Sequence, residues 1–199
     1  MPEQQTSGDG APSRQRIAEA AITVIAHRGF DVVSVRSVAQ ESGLSAGTVQ
    51  YHYRTRKDLL VAALERSVER QTQRVMAARG QPGHRASLTR TLRELLPGEG
   101  VRDEDAAVWV SFGAAASTRD WLAELYWHEM RTFQALVRQA LTRAQEDGVL
   151  RDGLSPETAA PLVTALVNGL TLDCLNAPDP VRRGVEGALE RGLSLLLSD

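Results

Sequence analysis

Residues 34–60 constrain the fold of this 199-residue chain more than any other stretch. They read SVRSVAQESGLSAGTVQYHYRTRKDLL, which predicts two short helices separated by a tight turn, followed by the start of a long helix. Ser34 is predicted to be an N-cap, because its hydroxyl can accept a hydrogen bond from a free N–H of the first turn. Ser42-Gly43 is predicted to end the first helix, since glycine tolerates the left-handed backbone that a tight interhelical turn needs.

The second short helix is predicted over residues 45–53, with Ser45 as its N-cap. It opens with the small residues Ala46 and Gly47 and continues with larger polar or aromatic side chains. A helix with a small first turn can enter a major groove about 12 Å wide and present polar side chains to bases and phosphates. Three basic residues follow at once: Arg54, Arg56 and Lys57. A plain helical hairpin within a core is the alternative interpretation of the turn alone.

The next helix has its own start signal, because Thr55 is followed three residues later by Asp58, a spacing like that of a capping box. With these flanks, the stretch resembles the DNA-binding signature of the TetR family of transcriptional regulators. That pattern runs approximately L-S-x-G-T-aromatic-x-x-F, then a basic residue and Leu, and it is matched by Leu44, Ser45, Gly47, Thr48 and Leu59. Tyr53 stands where Phe is usual, and Arg56 where the family often has Lys. Gln50 departs from the pattern, which often has Tyr there, and is a candidate for base reading.

The resemblance implies a homodimer whose two heads enter successive major grooves about 34 Å apart, on a near-palindromic double-stranded DNA operator. It also implies a repressor that a small-molecule effector releases; activation stays open, because the outcome depends on where the site lies. The candidates for the phosphate side of the interface are Ser34, Arg36, Thr48, Tyr51, His52, Arg56 and Lys57. Ala46, Gly47 and Gln50 are expected to face the bases, with Ser45 capping their helix.

The charge distribution fits docking on phosphates at one end of the chain. Residues 12–57 hold seven basic and three acidic side chains, whereas residues 58–199 hold sixteen basic and twenty acidic ones. A basic head on an acidic body is typical of a protein that meets nucleic acid at one end only. The single cysteine, Cys174, cannot form an internal disulfide, and no secretory signal or spanning apolar run is visible. We therefore expect a cytoplasmic protein with no membrane partner.

The remaining pattern predicts an all-α chain of about nine helices, since no segment shows the period of a strand. We expect a disordered tail over residues 1–12, a three-helix helix-turn-helix domain over 13–54, and a ligand-binding and dimerisation domain over 55–199. The fourth helix is predicted over 55–79, broken by Gly80 and Pro82-Gly83, and the last helix is predicted to start at Asp179-Pro180. The body loosely resembles the choline-sensing repressors of the family, through W-V-x-F at 109–112 and A-L-V-N-G-L at 165–170.

An aromatic-rich segment marks the candidate effector pocket. Small side chains at 113–117 lie between large flat ones, a composition typical of a cavity with aromatic walls. The candidate lining residues are Trp109, Phe112, Trp121, Tyr126, Trp127, His128, Phe133, Asn168, Thr171 and Cys174. Plain core packing is the alternative for each of them. Aromatic faces suit a cation or a flat hydrophobe equally, so the effector stays unidentified.

The last two helices are rich in leucine and predict an isologous dimer interface. The candidates are Leu162, Leu166, Leu170, Val185, Leu189 and Leu193, unless these helices only close the core of the monomer. The second function considered is a helical enzyme or ligand carrier without a DNA role. The sequence shows no nucleophile–base pair, metal-ligand spacing or phosphate-binding glycine loop, so we expect no catalytic residue, metal site or cofactor.

Overall fold

The computed structural model describes residues 10–78, 84–178, 182 and 184–198. Within those residues it contains nine α-helices and no β-strand, which confirms the predicted all-α class. In chain order they are α1 (Gly10–Arg28), α2 (Val35–Ser42), α3 (Ala46–His52), α4 (Arg56–Ala77), α5 (His84–Arg93), α6 (Val101–Ala116), α7 (Asp120–Glu146), α8 (Pro156–Asn176) and α9 (Val185–Ser194). A short 3-10 helix, Phe30–Val32, connects α1 to α2. The chain forms two compact units, Met1–Arg70 and Gln71–Asp199, which we call the head and the body.

Some predicted boundaries fall where the structure gives no description. The first nine residues of the expected tail, the helix break at Gly80 and Pro82-Gly83, and the helix start at Asp179-Pro180 lie outside the described residues. The last three residues of the expected tail, 10–12, form the first turn of α1 instead. Helix α4 ends at Ala77, two residues before its predicted end.

The local signals of the head form as the sequence predicts. Ser34 accepts a hydrogen bond at Oγ from the Ser37 N–H at 3.1 Å, and its own N–H donates to Ser37 Oγ at 2.9 Å, a complete capping box. Gly43 ends α2 with φ 66°, in the left-handed region where glycine is favoured. Ser45 Oγ accepts from the Thr48 N–H at 3.0 Å and so caps α3.

Helix α4 also begins at its predicted cap. The Thr55 N–H donates to Asp58 Oδ2 at 2.8 Å, and the Asp58 N–H donates to Thr55 Oγ1 at 3.1 Å. The two hydrogen bonds from Thr55 stabilise the carboxylate and lower the pKa of Asp58 below 3.8. Because these two hydrogen bonds join residues only three apart, the start of this helix is fixed by local sequence.

The head needs the first part of α4 to complete its core. Ile17, Val38 and Val49, from α1, α2 and α3, are fully buried, and so are Leu59 and Leu60 of α4. The compact unit accordingly runs to Arg70 rather than to the predicted domain boundary after residue 54. The physical reason is size, because three short helices alone bury too little apolar surface to be stable.

An apolar cluster of the body is built from four helices and the segments that follow three of them. Its buried members lie on α5, α7, α8 and α9 and in the segments that follow α5, α7 and α9: Leu88, Leu92, Leu96, Val137, Leu141, Ala144, Leu150, Ala159, Ala160, Val163, Val167, Cys174, Val185, Leu189, Leu193 and Leu197. An isolated antiparallel bridge between Leu150 and Leu197 fastens the chain end to the turn after α7. The α8 start follows prediction, with Ser155 forming a capping box with Thr158 and Pro156 in the first turn.

Helix α8 differs from the expectation that no segment could span a membrane. By length and composition alone it qualifies as a candidate span within the described chain. The core helix of a globular protein passes the same test, and α8 contributes Ala159, Val163, Val167 and Cys174 to the cluster of the body. Burial on that side accounts for its apolar composition.

Candidate nucleic-acid interface and effector site

Helix α3 presents the surface on which the DNA-binding prediction depends. Val49 is fully buried and anchors the helix in the head core. Ala46, Gly47 and Gln50 are exposed, and Tyr51 is 82% exposed. The small first turn of the helix and the amide of Gln50 are therefore open to solvent. This is the arrangement that a helix entering a major groove requires.

Some of the polar side chains near α3 are exposed to solvent, and others form hydrogen bonds in helix caps. Arg36 is exposed on α2, and Lys57 is exposed at the start of α4. The hydroxyls of Ser34 and Ser45 are held in the helix caps, and Thr48 Oγ1 lies 2.9 Å from Ser45 Oγ. The partly buried ring of His52 packs edge-on against Tyr51, with the ring centroids 5.1 Å apart.

Arg56, which was expected to face a phosphate, has a side chain that is 40% exposed and that also contacts its own head. Its Nε donates to the carbonyl oxygen of Val33 at 3.0 Å, and its Nη2 donates to that of Phe30 at 2.9 Å. Its guanidinium carbon also lies 5.3 Å from the centroid of the Phe30 ring. The side chain is directed into its own head because the loop between α1 and α2 offers carbonyl acceptors there.

Sequence reasoning missed the ion pairs that hold α1 against α4. Glu19 of α1 accepts from Arg66 Nε at 2.7 Å and from Arg70 Nη1 at 2.9 Å. The Arg70 side chain is only 8% exposed. The available signal was the spacing of the two arginines, four residues apart on one face of a helix, with the second on its apolar side.

Part of the predicted effector pocket forms a packed polar–aromatic group in the body. The indole Nε1–H of Trp109 donates to Asn168 Oδ1 at 3.0 Å, and Asn168 Nδ2 contacts Met130 Sδ at 3.9 Å. The rings of Trp109 and Tyr126 lie 4.7 Å apart between centroids. Burial raises the pKa of Tyr126 above 10.0. We call Trp109, Tyr126, Met130 and Asn168 the Trp109 cluster.

The small residues opposite the aromatic side chains permit close packing here. A Cβ placed on Gly113 would lie 3.2 Å from the Tyr126 ring, so that ring occupies the space beside the glycine. Phe112 is fully buried, and Thr171 and Cys174 are each 2% exposed. The Thr171 hydroxyl donates to the Val167 carbonyl oxygen at 2.8 Å.

The other predicted pocket residues are distributed over different surroundings. Trp127 is 52% exposed, and His128 is exposed on the same helix. Trp121 is partly buried, and Phe133 packs against the apolar cluster of the body. The structure thus brings Trp109, Tyr126 and Asn168 together but does not gather all ten predicted residues around one space.

A surface cleft of about 500 Å³ lies elsewhere in the body. Its walls are His84, Arg85, Ala86, Thr89, Val149, Glu190, Arg191, Ser194 and Ser198. None of the predicted pocket residues lines it. Its lining comes from the first turns of α5, the turn after α7, and α9 with the residues after it.

The predicted dimer-interface residues also separate into two groups. Leu189 and Leu193 are fully buried and Val185 is 7% exposed, all within the core cluster of the body, so a partner subunit cannot reach them. Leu162 is 54% exposed, while Leu166 and Leu170 are partly buried. Leu172, at 46%, and Leu195, at 73%, are exposed apolar side chains that the interface prediction omitted.

The exposed, capped helix-turn-helix of the head and the larger helical body define a class of protein, the two-unit helical DNA-binding regulators. Comparison with protein families identifies the family. The model for bacterial regulatory proteins of the TetR family matches residues 17–63. The model for the C-terminal part of BetI-type transcriptional repressors matches residues 84–198. Since the second match alone covers more than half of the chain, the protein belongs to the TetR family of transcriptional regulators.

Individual relatives agree with this assignment. The HTH-type transcriptional regulator PksA of Bacillus subtilis is 29% identical over 183 residues, which cover 87% of this chain and 83% of PksA. A TetR-family transcriptional regulator from Rhodococcus sp. has a crystal structure with TM-score 0.82 and 26% identity, covering 94% of this chain and 98% of its own. A transcriptional regulator from Saccharomonospora viridis, crystallised in complex with choline, has TM-score 0.80 and 25% identity, covering 95% and 100%.

The family assignment decides between the two functions considered from the sequence. The chain is a ligand-responsive DNA-binding transcriptional regulator, as the resemblance of residues 34–60 predicted. The family consists of transcriptional regulators, so the alternative of a helical enzyme or carrier without a DNA role gains no support.

Proposed function

We propose that the protein acts in the cytoplasm as a repressor that binds a near-palindromic operator and leaves it when a small molecule binds to the body. The observation that carries the proposal is the open face of α3, where Gln50 is exposed next to the small residues Ala46 and Gly47. Arg36 and Lys57 flank this face as exposed cations. Phosphate contacts by such cations position a head, while contacts to base edges specify the sequence.

Gln50 is the residue we propose for base reading. Glutamine pairs bidentately with adenine, and such a pair is worth about 1–3 kcal/mol of discrimination against the wrong base. Replacing Gln50 by Ala is expected to weaken operator binding about tenfold, within that range, with little change on random DNA. The measurement is a mobility-shift titration on an operator selected from the upstream region of the gene, beside a scrambled duplex of equal length. Equal losses on both duplexes, or no loss, would remove Gln50 from base reading.

We propose that two copies associate to carry two heads. The exposed apolar side chains of α8 support this, with Leu162 and Leu172 each about half exposed. Where exposed apolar side chains form a contiguous patch, they mark a surface that another subunit can cover. Static light scattering is expected to give twice the chain mass of 21.7 kDa at micromolar concentration. A mass equal to that of one chain would contradict the dimer, and with it the near-palindromic operator.

We propose the Trp109 cluster as the region that responds to the effector. The BetI-type family match and the choline-bound relative make choline the first compound to test. Aromatic faces such as those of Trp109 and Tyr126 attract a quaternary ammonium group electrostatically. Release follows if the effector binds more tightly to a state of the dimer whose heads misfit the operator, because affinity then falls by that difference.

A further inference from the structure

The guanidinium of Arg56 contacts two carbonyl groups of the loop that leads into the helix-turn-helix. Its Nε and Nη2 donate to the carbonyl oxygens of Val33 and Phe30 at 3.0 and 2.9 Å. The Phe30 ring, 9% exposed, lies beneath the guanidinium. An ion pair with Asp31 at 3.3 Å adds little, because the Asp31 side chain is 80% exposed.

A second side chain, that of Ser37, also forms a hydrogen bond to this loop. Ser37 Oγ lies 2.8 Å from the carbonyl oxygen of Val32 and donates to it, while the Ser37 N–H forms part of the capping box with Ser34. The carbonyl groups of Phe30, Val32 and Val33 therefore each receive a side-chain hydrogen bond. The geometry of the loop is consequently linked to the first turn of α2.

Arg56 is placed where the helix-turn-helix ends. Helix α3 finishes at His52, and Arg56 is the first residue of α4. The loop at residues 30–33 precedes the helix-turn-helix, and Arg56 follows it. The side chain of Arg56 therefore connects the segments before and after the motif. Fixing both ends of a segment limits how far its elements can rotate, and a rigid supporting contact positions the residues that meet the ligand.

We infer that Arg56 is a positioning residue for DNA recognition, which holds α2 and α3 in their operator-binding orientation and does not contact phosphate. This inference rests on the DNA-binding role of the head. Lysine cannot replace arginine in this role, because one ammonium lacks the planar fork that reaches two carbonyl groups while stacking on a ring.

The charge-conserving variant Arg56→Lys separates the two roles. A phosphate contact survives the exchange, since Lys also binds phosphate. The paired hydrogen bonds to the carbonyl groups of Phe30 and Val33 do not survive it. We expect Arg56→Lys to bind the selected operator about tenfold more weakly and random DNA almost unchanged. Circular dichroism verifies that the variant is folded at the assay temperature. A merely structural role would lower the melting temperature but leave the ratio of operator to random-DNA affinity unchanged in the folded protein.

Salt dependence gives an independent reading with a matched neighbour. Removing one phosphate contact reduces the magnitude of the negative slope of log K against log salt by about 0.9. If Arg56 contacts no phosphate, Arg56→Gln is expected to leave the slope unchanged. Lys57→Gln, at the adjacent exposed cation, is expected to lower the slope by about that amount and to weaken both duplexes alike. The inference would be overturned if Arg56→Lys bound the operator as tightly as the parent and Arg56→Gln reduced the magnitude of the slope.

A second variant guards against a folding defect at position 56. Ser37→Ala removes the side-chain donor to Val32, together with the acceptor for the Ser34 N–H, and is expected to reduce the operator-to-random ratio in the same direction. An unchanged ratio in folded Ser37→Ala would contradict a role for the loop. A parent protein with no preference for any operator would instead refute the proposed function, so the two failures are distinguishable.

Discussion

Replacing Phe112 by alanine is expected to lower the free energy of unfolding of the body by about 3–5 kcal/mol, the range for truncating a buried Phe. Phe112 lies on α6, is fully buried, and is among the largest buried side chains of the described chain. The cost combines lost transfer free energy with the cavity left behind, which the surrounding helices fill only in part.

The three tryptophans make this measurement specific to the body. Trp109, Trp121 and Trp127 all follow residue 71, so indole fluorescence during urea denaturation reports this unit and not the head. Trp121→Phe serves as a control for the fluorescence probe. It removes one of the three indoles and so shows whether the measured free energy of unfolding depends on which tryptophans report it. A loss below about 1 kcal/mol for Phe112→Ala would show that the ring loses few packing contacts, as a pocket wall next to open space would.

The head could be predicted from sequence because its elements begin and end through local interactions. Ser34, Gly43, Ser45 and Thr55 each act on backbone groups within four residues, so residue type and spacing suffice. The family pattern then placed α3 as the exposed helix, and Gln50 lies on its open face.

The body was harder to predict because burial there is decided by neighbours far along the chain. Periodicity shows that Leu189 and Leu193 share an apolar face but not which helix covers it, and the core of the monomer does so. In the same way, Gly113 and Tyr126 were expected to bound a cavity, whereas the ring packs beside the glycine.

Arg56 illustrates the corresponding limit within the head. Its charge and its place after α3 predict a phosphate contact, yet its acceptors lie 23 and 26 residues earlier in the chain. Nothing in local spacing indicates such a pairing. For a side chain with several possible partners, such as Arg56, the role inferred from the sequence can therefore differ from the role that the structure indicates.

Removing Glu19 is expected to destabilise the head by about 2 kcal/mol. Breaking a buried ion pair by deleting one partner costs about 3–5 kcal/mol, and the 35% exposure of the Glu19 side chain reduces that value through solvent screening. Glu19→Gln removes the carboxylate charge that lies 2.9 Å from Nη1 of Arg70, a side chain that is 8% exposed. The measurement is hydrogen exchange of the amides at residues 17–25 of α1, which is expected to become faster.

A surface pair on the same arginine provides the control. Glu69 contacts Arg66 at 2.7 Å, but its side chain is 56% exposed. Glu69→Gln is therefore expected to change the stability of the head by less than about 0.5 kcal/mol. Equal effects of the Glu19 and Glu69 variants would show that the pairing with Arg70 contributes no more than an exposed ion pair.

The contribution of Glu19 to the stability of the head must also depend on pH. The ion pairs with Arg66 and Arg70 determine the direction of that dependence. Burial by itself raises the pKa of Glu19, but the hydrogen bonds and charges of Arg66 and Arg70 outweigh burial and lower the pKa below 4.5. A carboxyl group with a lowered pKa in the folded state contributes its stability above the unfolded value and loses it as pH falls through the folded value. The difference in the free energy of opening between the parent and Glu19→Gln, obtained from exchange rates corrected for the intrinsic pH dependence of amide exchange, should thus be constant near neutral pH and shrink below pH 4.5. A difference that stays constant through that acidic range would mean that the carboxylate charge does not hold α1 against α4, and that packing alone joins the two helices.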